Sequence, residues 1–135
     1  MPIAGRMHFT MVVICHLMDK NQQTVLLHLD SLGPDNNCHR GRRIKSTMKK
    51  ILQHLDPDIE DAHFIAPLLP MQKDAVSCGL FMLTYMTYFI DAAPKTIRVV
   101  QGQLVAERIR LGHKNFLSED WFNENNARGM RRYMR

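Results

Sequence analysis

No stretch of the chain reaches the roughly 18 consecutive apolar residues that a membrane-spanning helix needs, so no membrane partner is expected. Cysteine is scarce, with only Cys15, Cys38 and Cys78. The odd number, together with an N-terminus (Met1-Pro2-Ile3-Ala4-Gly5-Arg6) lacking the basic-then-apolar opening of a secretory leader, favours free thiols in a reducing compartment over a disulfide framework. Seven glycines and six prolines are too few for a collagen-like or low-complexity chain, and no internal repeat occurs. Neither charge sign dominates. Eighteen Lys and Arg against thirteen Asp and Glu leave +5, a modest excess that suits nucleic acid or an acidic protein partner equally. What is present is an ordinary globular mixture, 45% apolar and 23% charged. A chain of 135 residues buries roughly 68% of its unfolded surface, enough for the core of one domain or part of one.

Residues 8–18 (HFTMVVICHLM) are nearly free of charge and rich in β-branched and aromatic side chains, which predicts a strand buried on both faces. A polar turn at 19–22 leads to a second strand over 24–30 (TVLLHLD), closed by Leu32-Gly33-Pro34-Asp35. Strands so closely joined pair antiparallel. Ile44, Met48, Ile51, Leu52 and Leu55 form one stripe of a helix over 42–55, stopped by Asp56-Pro57-Asp58. A short third strand is expected within 63–68, limited by Pro67 and Pro70 to an edge or an end. Residues 78–90 (CGLFMLTYMTYFI) carry no charge, which suggests a helix buried on nearly all sides. Further helices are expected over 103–111 and 125–135. Strands followed by packed helices indicate an α+β domain.

Cys78 stands where a polar stretch meets the first turn of that apolar helix. Unpaired N–H groups and the helix dipole favour a thiolate there, and Gly79 admits close approach to the backbone. Equally, Cys78 reads as a small buried hydrophobe. His8 opens the first strand and Asp30 closes the second. With a three-residue turn on 19–21, His8 faces Leu32 and Asp30 is its diagonal neighbour on the same face, within side-chain reach. A His held by an Asp is the pair that orients and activates a nucleophilic Cys, although a polar strand end and a turn-initiating Asp account for the two residues separately. Gln72, in the loop six residues before Cys78, offers an amide N–H to an oxyanion or is simply a loop residue.

Taken in order, PIAGRMHFTMVVI around His8, LLHLDSLG around Asp30 and LLPMQKDAVSCGLFMLTYMTYFI around Gln72 and Cys78 resemble the ubiquitin-like protease (Ulp/SENP) family of cysteine proteases. The ending SEDWFNENNARGMRRYMR is similar to the C-terminal segment of plant members. The resemblance implies a papain-like α+β fold with the catalytic Cys at the N-terminus of a buried helix packed on a small sheet. It implies Cys78 as nucleophile, His8 as general base and acid, Asp30 as the His orienter and Gln72 as oxyanion-hole donor. It further implies cleavage after the C-terminal Gly-Gly of SUMO or a related ubiquitin-like modifier, in deconjugation or maturation, by an intracellular enzyme, nuclear ahead of cytoplasmic. No cofactor is implied.

Three departures accompany the resemblance. Phe9 follows His8 where the family commonly has Trp, and Ser77 precedes Cys78 where it commonly has Asp. Only seven residues precede His8, so residues 1–135 are expected to form a single partial catalytic domain with an incomplete substrate cleft and an uncovered apolar surface that includes Leu80 and Phe81. An inactive remnant serving as a weak binding module, and an acyltransferase on the same Cys–His scaffold, stand as alternatives.

Other features carry less. Six basic residues between Arg40 and Lys50 suit a nuclear-import or nucleic-acid patch, but the solvated face of the 42–55 helix explains them and no aromatics interleave for base stacking. Arg128, Arg131, Arg132 and Arg135 read the same way. Cys15-His16 and Cys38-His39 lack the spacing of zinc ligands, so no metal is expected. His28, His54, His63 and His113 show no partner spacing. Met7, Met11, Met48, Met71, Met82 and Met86 read as core filler, and Trp121 and Phe122 as packed against the domain.

Overall fold

The computed structural model describes residues 1–5, 8–34, 39–59 and 62–134, at 3–5 and 39–40 as backbone. Cys38 and Met7 lie outside the described residues. A four-stranded sheet runs in the order β1 (Pro2–Gly5), β2 (His8–Cys15), β3 (Val25–Leu29), β4 (His63–Ile65). β2 is antiparallel to β1 and β3, and β4 joins β3 in parallel at the other edge. Parallel pairing requires a crossover, and α1 (His39–Leu55) supplies it. No helix among the described residues is long and apolar enough to cross a membrane.

β2 and β3 are buried on both faces, as their unbroken apolar runs dictate. One face packs Val12 and Leu26 against Ile44, Met48 and Leu52 of α1. The other packs Met11, Val25, Leu27 and Leu29 against Phe81 and Tyr85 of α2 (Cys78–Ala92). Leu55, at the end of the α1 stripe, is exposed. Outward on α1, Arg42, Arg43, Lys45, Lys49 and Lys50 face solvent.

Several expectations need correction. β2 stops at Cys15 because His16 and Met18 take left-handed backbone angles, so the link to β3 is longer than a three-residue turn. The register nevertheless centres where that turn would put it: Met11 opposes Leu29 and Val12 opposes His28. Residues 103–111 are not helical. β5 (Thr96–Val100) and β6 (Gln103–Glu107) form a hairpin around Gln101 and Gly102, both with positive φ. Two such residues make the mirror-image turn that matches strand twist, and it overrides the helix-forming Gln, Leu and Ala in the segment. β1 is an additional strand. The C-terminal helix begins at an Asn123–Asn126 capping box and divides into α3 (Glu124–Gly129) and a 3-10 turn (Met130–Tyr133).

α2 is not buried all round. Met86 and Ile90 lie on an exposed apolar face, Ile90 at 69%. Leu80 and Phe81, expected at the surface, are buried. The segment after β6 covers that side, placing Trp121, Phe122 and Ala127 in the same core as Phe81. Of the methionines, Met11 and Met48 fill core while Met71 and Met86 are exposed.

Candidate active site

The register carries its own arithmetic. Continued past Met11 and Leu29, it sets Thr10 opposite Asp30 and His8 opposite Leu32. His8 and Asp30 are therefore same-face diagonal neighbours, and their side chains meet: His8 Nε2 lies 2.6 Å from Asp30 Oδ1. Both are buried. After β3 the chain turns at once, with Leu32 N–H donating to Asp30 Oδ1 at 2.9 Å and Gly33 N–H to the Asp30 carbonyl at 3.2 Å. Gly33 takes φ +88, and a Cβ there would stand 2.8 Å from Met71 Sδ, so the turn is pressed against the loop that leads to Cys78.

That loop is fastened in three places. Tyr85, buried within α2, donates its hydroxyl to the Pro70 carbonyl. Burial, with the nearby Asp30 charge, pushes the Tyr85 phenol well above its ordinary range, so the proton for this bond is always present. Ser31 Oγ donates to Gln72 Oε1, and Gln72 N–H donates to the Ser31 carbonyl at 3.0 Å. Asp74 then gathers the end of the loop: Oδ1 accepts from the N–H of Val76 (3.0 Å) and Ser77 (2.7 Å), and Oδ2 from the Ser77 hydroxyl at 2.7 Å. The Ser77 hydroxyl and these N–H groups hold the Asp74 carboxyl below its ordinary range.

Cys78 begins α2 and is buried. The first helical bond of this turn runs from Phe81 N–H to the Ser77 carbonyl at 3.0 Å, so the N–H groups of residues 78–80 stand ahead of the helix ladder. A Cβ placed on Gly79 would sit 3.8 Å from Phe9 Cδ2, so the residue after Cys78 lies against the residue after His8. The structure thus brings His8 and Asp30 into contact and the Cys78 turn beside the His8 strand. No hydrogen bond joins the His8 ring to the Cys78 thiol. Gln72 differs from expectation, because its Nε2 donates to the Asp74 carbonyl at 2.6 Å rather than being wholly free for an oxyanion. One N–H of that amide is left for other use.

Histidines that showed no partner in the sequence have partners in space. His28 Nε2 contacts Thr10 Oγ1 at 2.9 Å and lies 3.8 Å from Asp30 Oδ2. His16 Nε2 accepts from Ile97 N–H at 3.1 Å, tying the β5–β6 hairpin to the main sheet. His113 Nε2 and Arg110 both reach Asp91, at 2.8 Å each, and pull its carboxyl below the ordinary range. Apart from His28 and Asp30, which are near neighbours in the chain, these partners lie 18 to 81 residues apart, so no local spacing marks them.

Residues 1–131 match the family model described as the Ulp1 protease family, C-terminal catalytic domain. Among curated proteins of Arabidopsis thaliana, ubiquitin-like-specific protease 1C is 25% identical over 150 aligned positions, covering 96% of this chain and 24% of that protein. The probable ubiquitin-like-specific protease 2A is 29% identical over 149 positions, covering 97% and 18%. Ubiquitin-like-specific protease ESD4 is 32% identical over 92 positions, covering 65% and 18%. The chain spans about a quarter or less of the length of these relatives. With a catalytic-domain model matched over nearly its whole length on an α+β scaffold, the chain belongs to the Ulp1 protease family.

Proposed function

We propose that this chain is a thiol protease or isopeptidase that cleaves after the C-terminal Gly-Gly of SUMO or another ubiquitin-like modifier, in deconjugation or maturation. The observation that carries the reading is the buried 2.6 Å His8–Asp30 contact, with the first turn of α2 beside the same strand. Because Nε2 is committed to Asp30, Nδ1 is the nitrogen left to take the Cys78 proton. The thiolate attacks the glycyl carbonyl carbon, and the carbonyl oxygen becomes an oxyanion. The N–H groups at the start of α2 and the remaining Gln72 N–H are its donors. Collapse breaks the C–N bond while the His8 imidazolium returns its proton to the leaving amine. Water, deprotonated by His8, then attacks the thioester and frees the modifier and the Cys78 thiol. A His8–Cys78 bond that tightens only when substrate is held fits this cycle, since catalytic hydrogen bonds are often looser without substrate.

In this reading residues 1–135 are part of one catalytic domain, acting in the nucleus or, second, the cytoplasm. The partners are the modifier and its conjugates. Incubation of the chain with C-terminal electrophile derivatives of SUMO, ubiquitin and related modifiers tests it. Covalent capture through Cys78, lost in Cys78→Ser, is the expected result. Capture of none, with the fold intact, would leave an inactive remnant of the family as the better reading.

A further inference from the structure

Asp30 is shared by two histidines. His8 Nε2 occupies Oδ1 at 2.6 Å, and His28 Nε2 lies 3.8 Å from Oδ2. His28 stands two residues before Asp30, on the same face of β3. It is buried, its ring tilted against Phe64 of β4 with centroids 5.9 Å apart. The proton on His28 is fixed by its neighbour. Thr10 Oγ1 gives its single proton to the Leu29 carbonyl at 2.7 Å, which can only accept. In its 2.9 Å contact with His28, Thr10 must therefore accept, and His28 carries hydrogen on Nε2. That N–H lies on the Oδ2 side of the carboxylate whose Oδ1 orients His8.

We propose that His28 is a positioning residue of the candidate triad, acting through Asp30 on His8. This rests on the reading of His8 and Asp30 given above. A carboxylate turns easily about its terminal bond, whose energy wells are broad. With His8 and Leu32 N–H on Oδ1, the His28 dipole on the Oδ2 side resists that rotation and draws negative charge away from His8. Thr10, which opposes Asp30 across the sheet, keeps the dipole aimed. Among the described residues, the groups around the pair include His8 and Thr10 from β2, Tyr85 from α2, which feels the Asp30 charge, and Phe64 from β4. Lys45 and Lys49 of α1 border the cleft of about 250 Å³ that Phe64 also lines.

The test compares the full chain with His28→Leu, His28→Gln and Thr10→Val, by NMR titration of the His8 ring and by turnover of a modifier–fluorophore fusion. Leucine removes the dipole, so the His8 midpoint should rise and kcat should fall about tenfold with KM little changed. Glutamine sets an amide N–H near the lost Nε2 and should restore both. A His8 midpoint unchanged in His28→Leu, or a glutamine variant as impaired as the leucine one, overturns the proposal. Should His28→Leu fail to fold, Thr10→Val, which removes the group that aims the dipole, must raise the His8 midpoint, and no shift there is equally fatal. If the unaltered chain turns over no substrate, the protease reading falls, while the ring titration still decides the role of His28.

Discussion

Ser31 and Gln72 are joined twice, by the Ser31 hydroxyl on Gln72 Oε1 and by the Gln72 N–H on the Ser31 carbonyl. The residue next to the candidate His orienter thus holds the candidate oxyanion donor. The Asp74 carbonyl, an acceptor only, fixes which way round the amide lies, so Nε2 cannot exchange places with Oε1. Ser31→Ala should release the side chain while leaving the backbone bond. We expect kcat to fall about tenfold and stability to drop by about 1 kcal/mol, read from turnover and thermal unfolding. An unchanged kcat would mean that the backbone bond suffices to place Gln72.

Gln72→Ala removes the amide itself. Loss of one oxyanion donor costs roughly 10²–10³ in kcat. The rate at which Cys78 reacts with a simple alkylating agent should stay near wild type, because that reaction builds no oxyanion. Parallel losses in both measurements would point instead to a misplaced Cys78.

The thiols should separate cleanly. Burial pushes Cys15 from about 9 up to about 11. Its folded value exceeds the unfolded one, so the neutral thiol contributes stability that is complete below about pH 9 and is lost as pH rises through about 11. Near pH 7, brief iodoacetamide treatment should mark Cys78 well before Cys15, with peptide mass spectrometry as the readout. Equal labelling would remove the case for an activated Cys78. Cys15→Val should lessen the stability loss between about pH 9 and 11, leaving the part that the raised Tyr85 phenol contributes at higher pH.

The β5–β6 turn can be tested without touching the site. Gly102 sits at φ +76, so Gly102→Val should cost about 1–2 kcal/mol, seen as a lower urea midpoint. Turnover per folded molecule should not change. A neutral substitution would show that the hairpin opens at little cost.

How much of this was legible depended on the range of the interaction. HFTMVVIC and VLLHL declare themselves as strands because both faces are apolar. Once they pair, parity alone puts His8 and Asp30 on one face, so that contact is readable from sequence. The α1 stripe and the start of α2 are local patterns and are equally plain. The β5–β6 hairpin is not, because Gln101-Gly102 is an uncommon wording for a turn usually written Asn-Gly. The aim of the Gln72 amide depends on Ser31 and on Asp74, and the partnership of His28 depends on Thr10 across the sheet. Neither has a signature in its own neighbourhood. The exposed face of α2 has no signature either, because absence of charge does not say which side a neighbour covers.

The parallel pairing of β3 with β4 has a kinetic consequence. Val25 meets His63 only after the whole of α1 has been folded back across the sheet, and Phe9 and Gly79 are brought side by side from still farther apart in sequence. The entropy of closing such loops must be met before the contacts that reward it exist, which slows folding. Helical signal from α1 should therefore recover early after dilution from denaturant, and rapid Cys78 alkylation late. A chain caught between those two moments would show helix without chemistry.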